Sequence, residues 1–174
     1  MTDIATLLNE RMLTVPDFPE PGILFRDLTP VFAHGPSFRA VVDALVAPFD
    51  GEFDAIAGLE ARGFLLAAAA AIDSGRGVLP VRKAGKLPGH VLTETYQLEY
   101  GTASFQVNPD SLPAGSRVLV LDDVLATGGT INASCTLLER AGWSVAGIAV
   151  VLELDALNGR ANLAGREIHS LLHL

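Results

Sequence analysis

Arg117-Val-Leu-Val-Leu-Asp-Asp-Val-Leu-Ala-Thr-Gly-Gly-Thr130 runs from an apolar stretch through two acids into a glycine turn. Arg117–Leu121 reads as a buried strand, and Thr130–Ala141 as a helix stopped by Gly142. Between them Gly128 and Gly129 can take positive φ and let the backbone come close to a ligand. The N–H groups of Ala126, Thr127, Gly128, Gly129 and Thr130 can then converge on one concavity at a helix N-terminus, joined by the two threonine hydroxyls. That is a phosphate nest. It is neither a Walker loop, since no lysine follows the glycines, nor a dinucleotide fingerprint, since G-x-G-x-x-G is absent.

Asp122 and Asp123 would repel a phosphate unless they face something else. Sugar hydroxyls, or a magnesium ion attached to one, meet that requirement. A phosphate at one end and vicinal hydroxyls at the other describe a ribose 5-phosphate. The plainer alternative is an acid pair capping the helix, which covers one acid comfortably and two followed by T-G-G-T poorly.

Outward from this stretch the pattern alternates. Asp54–Leu59, Gly77–Arg82, Val145–Leu152 and Glu167–Leu172 read as strands, and Gly63–Asp73 as a small-residue helix packed closely on a sheet. Such alternation predicts an α/β fold with a mainly parallel β-sheet flanked by helices, and ligands at the carboxyl ends of the strands. Thr93–Val107, rich in Tyr, Thr and Phe around Gly101, predicts a hairpin or flap. At the N-terminus, residues 3–13 have helical apolar spacing. The prolines at 16, 19, 21 and 30 predict an extended loop over Val15–Pro30, and Ser37 is expected to cap a helix that Asp50-Gly51 ends. No linker or repeat interrupts the chain, so residues 1–174 are expected to form a single domain.

Hydrophobic residues make up 49% of the 174 and charged ones 18%, a balance that favours a compact fold over disorder. No apolar run is long enough to span a bilayer and no signal peptide is evident, so a cytoplasmic location is expected and no membrane partner. The single cysteine, Cys135, fits a reducing compartment and helix-face packing. The four histidines lack metal-ligand spacing, and Glu153 reads as a strand-end surface residue. A net charge of −8 argues against a nucleic-acid surface. Arg76, Arg82, Lys83 and Lys86 nevertheless cluster without an intervening acid, which suits a small anionic substrate.

Val118–Thr130 resembles the 5-phosphoribosyl-1-pyrophosphate (PRPP) motif of type I phosphoribosyltransferases. Phe18-Pro-Glu-Pro-Gly-Ile-Leu-Phe-Arg-Asp27, Glu60-Ala-Arg-Gly-Phe64, Val81-Arg-Lys-Ala-Gly-Lys-Leu-Pro88 and Leu98-Glu-Tyr-Gly101 extend the resemblance to the adenine phosphoribosyltransferase family, from about Val15 to Leu154. The resemblance implies a type I fold with a small N-terminal hood (about 14–34) and a flexible flap (about 87–107). It implies transfer of phosphoribose from PRPP to adenine, giving AMP and pyrophosphate in purine salvage.

The family pattern assigns the residues as follows. Ala126–Thr130 would hold the 5-phosphate, and Asp122 and Asp123 the ribose hydroxyls. Arg62, Arg82, Lys83 and Lys86 would meet the pyrophosphate, although a solvated basic face accounts for Lys86 nearly as well. Phe25 and Arg26 would read adenine through main-chain groups, with Leu125 covering a purine face; Arg26 can equally be a salt-bridge partner of Asp27. Glu99 would handle the proton at N7, with Tyr96 and Tyr100 closing the flap. Mg²⁺ is the implied cofactor, held mainly by the pyrophosphate, with Asp122 and Asp123 nearby and no direct protein ligand. A homodimer is implied, Arg82 completing the neighbouring site. The rival readings are an enzyme for another base, such as xanthine or orotate, and a PRPP-sensing regulator of the same fold.

Overall fold

A computed structural model of the chain describes residues 3–97 and 101–174, which divide into two compact units, 1–44 and 45–174. In the first, helix α1 (Ile4–Arg11) is followed by an antiparallel pair, β1 (Leu13–Pro16) and β2 (Leu24–Asp27), then α2 (Thr29–Ala33) and the start of α3 (Gly35–Val46). The proline-rich stretch is therefore not a featureless loop. Pro16 closes β1, and Pro30 sits in the first turn of α2, where a missing N–H removes no bond. The hairpin turn is tied by Gly22 N–H donating to Asp17 Oδ1 at 2.7 Å.

Ser37 does not cap α3, which already starts at Gly35. Ser37 N–H donates to His34 Nδ1 at 3.3 Å, so the imidazole before the helix takes the capping place. The helix ends at Val46 and continues as a 3₁₀ turn over Ala47–Phe49, short of Asp50-Gly51.

The second unit is built on a seven-stranded sheet. Its strands are β3 (Ala55–Leu59), β4 (Gly77–Lys83), β5 (Leu92–Gln97), β6 (Thr102–Val107), β7 (Arg117–Leu125), β8 (Ser144–Glu153) and β9 (Ile168–His173). Their order is β5-β6-β4-β3-β7-β8-β9. Four neighbouring pairs, from β4 through β3, β7 and β8 to β9, are parallel. The β5-β6 hairpin joins antiparallel through β4, making the sheet mixed at one end.

Strand β3 is buried along its whole length, as expected for a central parallel strand covered on both faces. Helices α4 (Gly63–Ser74) and α5 (Gly129–Arg140) cross over from β3 to β4 and from β7 toward β8. Small residues bring α4 close to the sheet: a methyl on Gly58 would stand 2.7 Å from Ala67 Cβ. Along α5, Ile131, Cys135 and Leu138 fill the core with Val118, Val120 and Ile148. Cys135 is fully buried, and burial raises its thiol to about 11. At the far end of α5, Arg140 Nη1 donates to Thr93 O at 2.9 Å and pairs with Glu94, holding the base of the β5-β6 hairpin.

Two boundaries differ from the sequence reading in ways that matter. Strand β7 runs on through both acids to Leu125 instead of stopping at Leu121. Glu153 is not a surface residue: it is 4% exposed and gripped by Arg160 through Nε and Nη2, at 2.7 and 2.8 Å.

Candidate active site

Pairing with β3 and β8 continues β7 past the apolar run, and the pleat sends its last residues to opposite faces. Asp122 and Val124 line a pocket with Ala126, Thr127, Gly128, Thr130 and Ile131. Asp123 and Leu125 point the other way and are buried. The pocket encloses about 90 Å³. That is several times the roughly 10–15 Å³ a single water needs, so a phosphate-sized group fits.

Gly128 makes the turn at φ 82° and caps α5. Asn132 N–H reaches back to Gly128 O at 2.9 Å, the first bond of the helix. The N–H groups at the start of α5 have no carbonyl ahead of them within the helix, and the helix dipole adds to their pull on an anion. Thr127 and Thr130 stand at the same mouth.

The acid pair sits in unlike surroundings. Asp122 Oδ1 accepts the Asp123 N–H at 2.9 Å, yet burial and then the neighbouring Asp123 charge hold its carboxyl well above the usual aspartate range. Asp123 is 6% exposed, with Arg62 Nε 2.9 Å from its Oδ2. Beyond that ion pair, Oδ2 has no hydrogen-bond partner among the described residues. A buried carboxylate oxygen with unused acceptor capacity is what a ribose hydroxyl or a cation-bound water would satisfy.

Arg62 comes to this place because Gly63 packs directly on β7. A methyl at Gly63 would lie 2.7 Å from Leu121 O and 3.1 Å from Asp122 Oδ1. The Glu60–Ala61 peptide just before it is cis. Glu60, for which the sequence suggested no role, organises the neighbouring basic strand: its Oε2 accepts from Arg82 Nε at 3.0 Å and from Lys83 N–H at 2.8 Å. Burial would raise the Glu60 carboxyl, but these two donors hold it below its ordinary value. Arg82 also lies 5.7 Å above the Phe64 ring. Lys83 and Lys86 are exposed.

Leu125 and Tyr96 do not line this pocket. Leu125 is fully buried in the core, whereas its neighbour Val124 lines the pocket with Asp122. Tyr96 stacks on Phe105 with centroids 5.3 Å apart and packs against the core, rooting its strand instead of covering the pocket. Glu99 and Tyr100 lie outside the described residues. In the N-terminal unit, Phe25 and Arg26 are on β2; Phe18 meets Phe25 edge to face at 5.1 Å, and Arg26 Nη1 donates to Thr14 Oγ1 at 2.5 Å. Asp27 Oδ1 accepts from Thr29 N–H at the start of α2.

The residues that carry this geometry lie in a stretch, 35–164, that matches the phosphoribosyl transferase domain family. Over 173 residues the chain is 65% identical to an adenine phosphoribosyltransferase of Clavibacter sepedonicus, covering 99% of this chain and 90% of that one. The chain belongs to the adenine phosphoribosyltransferase family. A second member, from Renibacterium salmoninarum, is 68% identical over 92% of this chain and 88% of its own.

Solved structures of adenine phosphoribosyltransferases share the fold. That from Thermoanaerobacter pseudethanolicus superposes with a TM-score of 0.92 at 44% identity, covering 96% of this chain and 98% of that one. That from Saccharomyces cerevisiae, solved with adenine and an imino-altritol bisphosphate, gives 0.91 at 39% identity over 97% and 98%. The mixed sheet with its flanking helices is thus the type I phosphoribosyltransferase fold.

Proposed function

We infer that this chain transfers the phosphoribosyl group of PRPP to adenine, releasing pyrophosphate and forming AMP, as a pentosyltransferase of purine salvage. The observation that carries the chemistry is the phosphate turn at the head of α5 beside two carboxylates, one of them facing the same pocket. Membership of the adenine phosphoribosyltransferase family, and adenine in the yeast relative, supply the base.

In this reading the Ala126–Thr130 turn binds the 5-phosphate, while Asp122 and Asp123 orient the ribose hydroxyls. The transition state has oxocarbenium character, so positioning and electrostatics do most of the work. Arg62, Arg82, Lys83 and Lys86 draw charge off the departing pyrophosphate. Mg²⁺ would be held mainly by the pyrophosphate and would neutralise its oxygens, with Asp122, which lines the pocket, and Asp123, ion-paired to Arg62, close by. Phe25 and Arg26 offer main-chain groups to adenine. A donor–acceptor edge matched to a 6-amino purine leaves buried groups unpaired against a 6-oxo one. Glu99 is assigned the proton at N7, and Tyr100 the closing of the flap.

A homodimer is part of this proposal. Leu65, Ile72 and Val78 are apolar and exposed, Ile72 at 86%, and a second copy would cover them. Arg82 would then complete the neighbouring site. No helix among the described residues is long and apolar enough to cross a membrane, and we place the enzyme in the cytoplasm. The test is PRPP- and Mg²⁺-dependent conversion of adenine to AMP by purified protein, run beside hypoxanthine, xanthine and orotate. Faster turnover of a 6-oxo base would overturn the adenine assignment.

A further inference from the structure

The segment after β8 folds into a 3₁₀ turn, Gly159–Leu163, that lies directly behind the phosphate turn. Asn162 Nδ2 donates to Thr127 O at 2.7 Å. A methyl on Gly159 would stand 2.2 Å from Ala126 O, and one on Gly128 would stand 2.4 Å from Gly159 O. Two glycine backbones therefore interlock, and the carbonyls of Ala126 and Thr127 are both turned toward the 3₁₀ turn.

A trans peptide points its N–H opposite to its C=O. Turning these two carboxyl-side oxygens backward sends the N–H groups of Thr127 and Gly128 forward, the direction in which the pocket lies. The brace is itself anchored. Arg160, within the 3₁₀ turn, grips buried Glu153 at the end of β8 through two bonds and reaches Ile168 O and Ser170 Oγ on β9 at 3.3 Å. Ser170 Oγ closes the set by donating to Glu153 Oε2 at 2.5 Å.

We infer that Asn162 and Gly159 are positioning residues for 5-phosphate binding, acting through the Ala126–Gly128 backbone, with Arg160 and Glu153 fixing them to the sheet. The inference rests on the reading of that turn as the 5-phosphate site. Asn162 is exposed and touches no substrate group in this scheme; it orients peptide dipoles. Losing one such hydrogen bond corresponds to roughly a 2- to 10-fold change in affinity.

The test compares ribose 5-phosphate binding by calorimetry with the KM values for PRPP and adenine, in wild type, Asn162→Ala and Asn162→Gln. Asn162→Ala should bind ribose 5-phosphate about 2- to 10-fold more weakly and raise the KM for PRPP in step, leaving the KM for adenine unchanged. Asn162→Gln, which keeps the amide donor, should recover part of the loss. Gly159→Ala, which forces backbone apart, should weaken ribose 5-phosphate binding more than Asn162→Ala. Unchanged ribose 5-phosphate affinity in Asn162→Ala overturns the brace, as does an equal loss for adenine and PRPP that simply follows Tm. Failure of the wild type to bind ribose 5-phosphate removes the site reading, and the brace with it.

Discussion

Arg62 Nε lies 2.9 Å from Asp123 Oδ2, so the loop that follows β3 is electrostatically locked to the acid pair on β7 before any substrate arrives. Removing the guanidinium leaves a buried carboxylate without its cation, a change that costs several times more than losing an exposed pair. Arg62→Ala should lower both Tm and kcat/KM for PRPP, the latter more than tenfold by this reasoning. Arg62→Lys should retain more stability than activity, because a point charge cannot replace a planar fork. Thermal melts alongside steady-state kinetics separate the two effects; equal behaviour of the two variants would contradict the role of shape.

Asp122 makes a prediction with a definite pH sign. Burial and the Asp123 charge keep its carboxyl protonated in the folded chain over a range where the unfolded chain has released the proton. The native state then binds more protons, so this group's contribution to stability falls as pH rises above the ordinary aspartate range. Asp122→Asn removes the penalty. Its Tm should exceed that of wild type near about pH 7, with the gap closing toward about pH 4, while PRPP turnover drops. A lower Tm for the variant at neutral pH would contradict this account.

Two glycine substitutions should divide stability from function. A methyl on Gly147 would fall 2.1 Å from the Phe49 ring, deep in the core. Gly147→Ala should therefore destabilise by about 1–3 kcal/mol, with little change in KM for either substrate in the folded fraction. Gly63→Ala pushes instead on Leu121 O and Asp122, so its main effect should be on kcat/KM for PRPP. Chemical denaturation and kinetics on both variants check the contrast.

Substitutions at Glu99 and Arg82 test whether the flap and a second copy contribute to the site. Glu99→Gln should lower kcat by about 10²-fold or more if it moves the N7 proton; an unchanged rate leaves it without that role. Arg82→Ala mixed with Asp123→Asn should regain activity through heterodimers that contain one intact site. Size-exclusion chromatography on the mixture confirms exchange, and an inactive exchanged mixture rules out the shared site.

Cys135 serves as a negative control. Buried and with its thiol raised to about 11, it should resist a thiol reagent in the native enzyme and react only on unfolding. Rapid labelling at neutral pH with activity retained would contradict its place in the core.

Much of this arrangement was legible in the residues, and the exceptions have physical causes. Apolar runs and glycine punctuation located the α/β alternation, and the T-G-G-T motif located the turn that opens α5. The end of β7 was misplaced because Asp122 and Asp123 look like strand breakers, whereas pairing with β8 carries the ladder past them. Leu125 was assigned a purine face as an apolar side chain near the turn; only the pleat shows that it faces the core while Val124 faces the pocket. The hairpin at Leu13–Asp27 was hidden by prolines that occupy its tolerant positions. Glu153 and Asn162 carried no local signal at all, since their partners, Arg160 with Ser170 and Thr127, are brought to them by the fold.

Helix α5 has the phosphate turn at one end and, at the other, Arg140 fastened to Thr93 and Glu94. At 1.5 Å per residue it is a strut of about 18 Å. The span between the T-G-G-T turn and the foot of the β5-β6 hairpin is therefore a helix length, insensitive to loop motion.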